Sequence, residues 1–281
     1  MAISPGDALR SDIQTRGILP LIGVYDVFSA SIAARHFDGI FISGFSFAAS
    51  HYGLPDIGFI SWSDIVDFTH RVRTILPKHH IIVDIDDGYC DPEVACHVVS
   101  LLENMGASGI ILEDQLRPRR CGHFEGKEIM ELDDYLDKLE RVLQQRKNLY
   151  VIARTDAVDE DEALHRARAI AATGADAILV DAIKDLAFVT TLSKETGRPI
   201  VFNQIAGGKS PPASLTELHA AGVSIANYST PCLFAAQEAV NNAMLELKQS
   251  DGRLTVAHNA DNTVHGCTDL LKENLHFRKK S

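Results

Sequence analysis

The sequence has no Cys-x₂-Cys pair and no dense cysteine framework. Its five cysteines, Cys90, Cys96, Cys121, Cys232 and Cys267, are odd in number and widely scattered. That pattern excludes a disulfide scaffold and a structural zinc site, and it reads as reduced thiols in a cytoplasmic protein. No uncharged apolar run reaches membrane-spanning length; the most apolar stretch, 18–50, is broken by Asp26, Arg35, His36 and Asp38. The first twenty residues lack a basic segment followed by an apolar one, so no secretory leader is expected. Positive charge is scarce, with 27 Lys and Arg against 38 Asp and Glu and a net charge of −11. Such a surface makes nucleic acid and anionic membranes poor partners. An anionic substrate would therefore need a local cation, either a metal or an arginine cluster. No composition shift or linker marks a boundary. The chain is expected to form one domain over 1–281, with the polar 249–281 as a C-terminal extension used in oligomer contacts.

What is present is a regular alternation of short β-rich runs with longer helical segments. Strand candidates lie at 18–24, 39–43, 80–85, 109–113, 149–154, 177–181, 199–203 and 223–227. Several are continuous apolar runs such as Ile81-Ile82-Val83. Burial on both faces, as in a parallel sheet, accounts for such runs. The intervening segments read as helices. Pro92 stands at the first turn of one, and Ser214 with Glu217 forms a capping box at the start of another. Eight such units in roughly 250 residues predict a (β/α)₈ TIM-type barrel with additional C-terminal helices, with an open doubly wound sheet as the alternative.

On a barrel the active site lies at the carboxyl ends of the strands. Those ends carry Ser43-Gly44, Asp84-Ile85-Asp86-Asp87, Glu113-Asp114, Arg154-Thr155-Asp156, Asp181 and Asn203. Asp84 and Asp86 are two apart, which places them on one face of a strand. Two such carboxylates repel unless a cation sits between them, and Mg²⁺ is the natural candidate; the other reading of Asp-Asp-Gly is a simple turn. After strand four comes Arg117-Pro118-Arg119-Arg120-Cys121-Gly122-His123, in a long loop able to act as a lid. A free thiol titrates near about 8.5. The neighbouring Arg119, Arg120 and His123 are expected to lower Cys121 toward neutrality. The alternative is a solvated basic loop with an incidental cysteine. Gly207-Gly208-Lys209-Ser210 looks like the end of a phosphate-binding loop, but Asn203 stands where its first glycine is required.

These residues match a family. Gly23-Val24-Tyr25-Asp26, Gly53-Leu54-Pro55-Asp56, Val83-Asp84-Ile85-Asp86, Ile111-Leu112-Glu113-Asp114-Gln115, Cys121-Gly122-His123 and Ala153-Arg154-Thr155-Asp156-Ala157 occur in order and at the family's spacing. Over nearly its whole length the chain resembles the isocitrate lyase / phosphoenolpyruvate mutase superfamily, in its methylisocitrate lyase-like branch. The resemblance implies a Mg²⁺-dependent carbon–carbon lyase, with Mn²⁺ as the alternative ion, in homodimers or homotetramers that often exchange a helix. Its substrate would be a 2-hydroxy di- or tricarboxylate. By position, Asp84 and Asp86 match the metal carboxylates, with Asp56 and Glu113 supporting them. Ser43, Gly44 and Phe45 match the segment holding the keto-acid end. Arg154 matches the carboxylate-binding arginine and Cys121 the lyase acid/base. Tyr25, Gly122, His123, Asp181 and Asn203 complete the implied site.

Four departures stand out. Arg119 replaces a lysine of the lyase loop, and arginine does not readily shuttle protons. Asp181 stands where methylisocitrate lyases carry Glu, Ala206 where dimethylmalate-type lyases carry Glu, and Ala235 near a substrate arginine. Neither isocitrate nor 2-methylisocitrate is therefore expected to be the best substrate. The alternatives are an oxaloacetate-type hydrolase or decarboxylase, a phosphonopyruvate-class enzyme, or a non-catalytic descendant.

Overall fold

The computed structural model describes residues 3–123, 125–254 and 260–279. In chain order the elements are α1 (Pro5–Arg16), β1 (Leu19–Val24), α2 (Val27–Ala33), β2 (Gly39–Ile42), α3 (Gly44–Phe47), a π turn (Ala48–Tyr52), α4 (Trp62–Ile75), β3 (His80–Asp84), α5 (Pro92–Met105), β4 (Gly109–Glu113), α6 (Leu132–Gln145), β5 (Tyr150–Thr155), α7 (Glu160–Thr173), β6 (Ala177–Val180), α8 (Leu186–Thr196), β7 (Ile200–Gln204), α9 (Leu215–Ala220), β8 (Val223–Tyr228), α10 (Pro231–Gln249), a 3₁₀ turn (Ala260–Asn262) and α11 (Val264–Lys279).

The eight strands are parallel and neighbour one another in sequence order. β8 pairs back onto β1, with Leu19 opposite Ile225 and Leu21 opposite Asn227. This closure removes the open-sheet alternative. β2 to β6 are buried along their whole length, so both faces need cover. The inward face packs Leu19, Leu21, Phe41, Ile82, Ile111, Ile152, Leu179, Val201 and Ile225 into the barrel. The outward face is covered by the apolar sides of the helices.

The sequence reading had not anticipated α1. Its Leu9 and Ile13 join the interior cluster and plug the amino-terminal end of the barrel. Arg10 ties the plug down through Asp176 (Nε–Oδ1 2.9 Å) and the Leu149 carbonyl (3.1 Å). With that end stoppered, the carboxyl end is where polar groups collect. The helix starts follow local chemistry. Ser214 Oγ accepts from the Glu217 N–H at 3.2 Å while Glu217 Oε2 accepts from the Ser214 N–H at 2.8 Å. Pro92 opens α5 behind an Asp91 cap.

At the C-terminus, α11 lies against its own barrel. Arg35 pairs with Glu273 at 2.6 Å, and Asn274 Nδ2 donates to Ser31 Oγ at 2.9 Å. In contrast, α10 runs for 19 residues without one buried residue. Among the described residues no helix is long and apolar enough to cross a membrane.

Candidate active site

β3 ends at Asp84, and Asp86 lies one residue past Ile85 with a left-handed backbone (φ 51°). Strand alternation therefore does not pair these carboxylates. The turn does: the Asp86 N–H donates to Asp84 Oδ1 at 3.2 Å. A side chain at Gly44 would sit 3.4 Å from both Asp84 Oδ2 and Asp86 Oδ1, so the two oxygens converge there. Burial pushes both acids up, and for Asp86 the neighbouring Asp84 and Glu113 add to the rise. Glu113, at the end of β4, is raised to about 7, chiefly by burial and in part by Asp156.

Two arginines divide this acid-rich floor. Arg119, from the lid, is 2 % exposed. It lies 2.5 Å from Asp56, 2.9 Å from Glu113 and 3.2 Å from Asp86 Oδ1. Asp56 and Glu113 are thus held by a guanidinium. Arg154, at the end of β5, grips Asp156 through Nε (2.8 Å) and Nη2 (3.0 Å), and Asp181 Oδ2 through Nη2 (3.0 Å). Its Nη1 lies 3.3 Å from Glu113 Oε2 but makes no hydrogen bond among the described residues. Asp156 is held well below the usual carboxylate range; burial opposes this, but Arg154 and Lys127 (2.9 Å) outweigh it. Behind this layer, Asp114 accepts from Thr155 Oγ1 (2.6 Å), the Asp156 N–H (2.9 Å) and Arg166 (3.1 Å), which sets the end of β5.

The opposite wall comes from β6 to β8. Asn203 Nδ2 donates to Asp181 Oδ1 at 3.0 Å, while its Oδ1 accepts from Ser229 Oγ (2.6 Å) and Asn227 Nδ2 (3.2 Å). Asn227 and Ser229 were missed by the sequence reading. Their spacing of two at the end of β8 was the available signal.

The loop 115–130, described at 115–123 and 125–130, is the segment expected to act as a lid. Its neck is pinned where the Leu116 N–H meets the Glu128 carbonyl (2.8 Å) and the Met130 N–H meets the Asp114 carbonyl (2.8 Å). Gly122 is pressed onto the floor. A methyl group there would overlap Asp181 Oδ2 and stand 2.6 Å from Arg154 Nη2 and 2.9 Å from Asp156 Oδ1. His123 is buried; its Nδ1 accepts from the Lys209 N–H at 2.9 Å, and its Nε2 is 3.9 Å from Asp181 Oδ1 without a hydrogen-bond partner among the described residues.

Cys121 lines the same cavity as Ser43, Phe45, Asp56, Asp84, Arg119, Gly122, His123, Arg154, Asp181 and Asn203. The expected lowering of its thiol is not found. Burial pushes Cys121 up to about 11, and the nearby Asp56 and Asp181 add to the rise. Arg119 is spent on carboxylates, and the guanidinium of Arg120 lies beside Gly126. The remaining space is about 30 Å³, room for a water or two. On the other side of Asp181 is a cleft of about 400 Å³ lined by Lys127, Lys184 and Lys209 together with Asp159, Glu160 and Asp181, so it has no excess of either charge.

The residues expected in the site do not all meet. Tyr25 and Ala235 line an apolar groove beside α2 and α10, and Ala206 lines a separate depression with Gln204 and Phe234.

A family model described as phosphoenolpyruvate phosphomutase matches residues 9–248. The 2-methylisocitrate lyase of Vibrio cholerae is 30% identical over all of this chain and 90% of its own length. The petal death protein of Dianthus caryophyllus is 30% identical over 84% of this chain and 76% of its own length. Among solved structures, 2,3-dimethylmalate lyase superposes with a TM-score of 0.90 at 26% identity, covering 98% of this chain and 95% of that one. Oxaloacetate acetylhydrolase with 3,3-difluorooxalacetate gives 0.90 at 25% identity, covering 99% and 97%. Phosphonopyruvate hydrolase with oxalate and Mg²⁺ gives 0.84 at 25% identity, covering 98% and 97%.

Proposed function

The chain belongs to the phosphoenolpyruvate mutase / isocitrate lyase superfamily, and from that membership we propose that it is a divalent-metal-dependent lyase. It breaks a carbon–carbon bond in a 2-hydroxy di- or tricarboxylate, giving a keto acid and a carboxylate. The observation that carries this reading is Cys121, a protonated thiol in one cavity with Arg154 and the Asp84 carboxylate.

A metal fits the floor. Asp86 Oδ1 is buried and, among the described residues, accepts no hydrogen bond, its one close cation being Arg119 at 3.2 Å; Asp84 Oδ2 converges with it beside Gly44. Among the described residues, the six carboxyl groups of Asp56, Asp84, Asp86, Glu113, Asp156 and Asp181 meet three cations, Arg119, Arg154 and Lys127, so a further cation would be accommodated there. Burial is the main cause of the raised acids at Asp84, Asp86 and Glu113, and neighbouring carboxylates add to it. Asp84 and Asp86 would hold Mg²⁺, or Mn²⁺ in its place, and the ion would supply Lewis-acid stabilisation of developing negative charge on oxygen.

The chain's own residues do the rest. Arg154 offers Nη1 to a substrate carboxylate while Asp156 and Asp181 hold its plane. His123 offers Nε2–H to a second oxygen. The substrate 2-hydroxyl gives its proton to a carboxylate lining the cavity, its oxygen becomes the keto oxygen, and the broken carbon–carbon bond leaves its electron pair on the carbon beside the departing carboxylate. Cys121 Sγ–H delivers its proton there, and a thiol held in its acid form by burial suits that step. A cavity with room for a water or two keeps bulk water from the carbanion. Asp181 is already bound by Arg154 and Asn203, so it is not free to read the distal substrate as a longer Glu would.

A second reading, hydrolytic cleavage of a four-carbon 2-oxo diacid, is favoured by the small cavity and by Asn227 and Ser229 on its wall. One panel tests both. Isocitrate, 2-methylisocitrate, 2,3-dimethylmalate and oxaloacetate are incubated with enzyme and Mg²⁺, and products are followed by NMR. Turnover is expected for a substrate other than the first two, with loss of activity in EDTA and recovery with Mg²⁺. Efficient use of isocitrate or 2-methylisocitrate would contradict the substrate assignment, and full activity in EDTA would contradict the metal.

The reading includes a cytoplasmic location and a second copy of this chain. Val240, Met244 and Leu245 stand exposed on α10, beside the groove of about 690 Å³ edged by Phe28, Ile32 and Phe37. A contiguous apolar surface of this kind is typical of a subunit interface. Sedimentation equilibrium should give a dimer or tetramer, and Val240→Asp with Met244→Asp should shift it to monomer. A monomeric wild type would defeat the assignment.

A further inference from the structure

The backbone of the turn Gly207-Gly208-Lys209, which has no place in the chemistry above, meets the lid at His123. The two glycines differ in what they require. Gly207 has φ +74° and nothing within 4 Å of an added Cβ, so it is there for conformation. Gly208 has no such backbone need, yet a Cβ would stand 2.7 Å from His123 Nδ1 and 3.0 Å from Cε1. It is there for space. The next residue uses that space, since the Lys209 N–H reaches His123 Nδ1 at 2.9 Å.

We propose that this turn is the seat of the lid, and that Gly208 and the Lys209 N–H are positioning elements that fix His123 as its Nε2–H tautomer. A ring nitrogen that accepts a hydrogen bond carries no proton, so in the neutral ring the proton sits on Nε2. Burial keeps the ring neutral, with Arg154 and Lys127 adding to that effect against the pull of Asp181. Nε2 is buried, without a hydrogen-bond partner among the described residues, and faces Asp181 Oδ1 across 3.9 Å. A buried donor left open in this way marks the place of an acceptor that arrives from outside. That acceptor is an oxygen of the anionic substrate, an assignment that rests on the lyase reading. A second link, Lys209 Nζ to Glu125 Oε1 at 2.6 Å, is highly exposed at Glu125 and adds little. The backbone N–H does the positioning.

The test reads the ring directly. In the full chain, the side-chain ¹⁵N resonances of His123, assigned with His123→Gln, are expected to show the Nε2–H tautomer without any ligand. Lys209→Ala keeps the N–H and should keep that tautomer. Gly208→Ala should give a tautomer mixture and lower kcat for the best substrate of the panel about 100-fold, the usual consequence of a misplacement near 1 Å, with a smaller change in KM. An Nδ1–H ring in the wild type, a tautomer lost in Lys209→Ala, or a Gly208→Ala protein with wild-type resonances and kcat would overturn the proposal. The resonances need no turnover. A failure of the lyase reading would therefore show in the substrate panel, and a failure of the seat in the ring.

Discussion

A Cys121→Ser protein is expected to fold normally and to lose cleavage activity by about 10²–10⁴-fold, the range over which a positioned acid–base group acts. The substitution changes one atom in a side chain that is 8% exposed, so the lid geometry survives. What changes is acidity, because a serine hydroxyl is a far weaker acid than a thiol, even one pushed up to about 11. The direction of the pH dependence follows. Cleavage consumes Sγ–H, which is fully present below about 11, so this group imposes no loss of rate from pH 7 to 9. The reverse condensation needs the thiolate, so its rate should climb over that interval. Rates measured in both directions check this. A cleavage limb that falls near the ordinary thiol value of about 8.5 would mean that the arginines do reach Cys121 after all. Unchanged activity in the serine variant would remove Cys121 from the chemistry.

The second large effect is expected at Arg154. Its guanidinium stands among Glu113, Asp156 and Asp181 at distances of 2.8–3.3 Å, with Arg119 also on Glu113 and Lys127 also on Asp156, and it is 7% exposed. Arg154→Met leaves three buried carboxylates facing one another, and breaking a buried pair in this way costs about 3–5 kcal/mol. The urea midpoint should fall accordingly. Arg154→Lys restores a charge but not the fork, so stability should recover in part while substrate binding does not. Loss of charge-assisted bonds worth about 1.5–3 kcal/mol corresponds to roughly 10–150-fold in kcat/KM. A methionine variant with the wild-type midpoint would show that Lys127 and Arg119 suffice to hold the floor together.

Much of this protein was legible in one dimension. The apolar runs at 39–42 and 80–84 and their spacing by helical segments gave the barrel, since a parallel strand must be apolar on both faces. The carboxylates at Asp84, Glu113 and Asp181 were assigned to the site because strand ends on this fold share one mouth. Two inferences met a different geometry, and the expected lowering of the Cys121 thiol is overturned by its rise to about 11. Asp84 and Asp86 meet through a left-handed turn and an N–H bond, not through strand alternation. Cys121 has charged neighbours in sequence, yet sequence adjacency placed none of their charges near the sulfur.

The alternation of strands and helices, the acidic mouth and the lid motif were decided by the order of residues, because side-chain period and local caps act over a few positions. Closure of β1 on β8, the plug formed by α1, the three-way grip of Arg119 and the seat at Gly208 were decided only in three dimensions. The closure, the plug and the seat join residues 85 to 206 positions apart, and Arg119 reaches 63 positions back to Asp56. Burial is also what sets the acidity of Cys121, through the cost of a charge away from water, and no local pattern of residues encodes it.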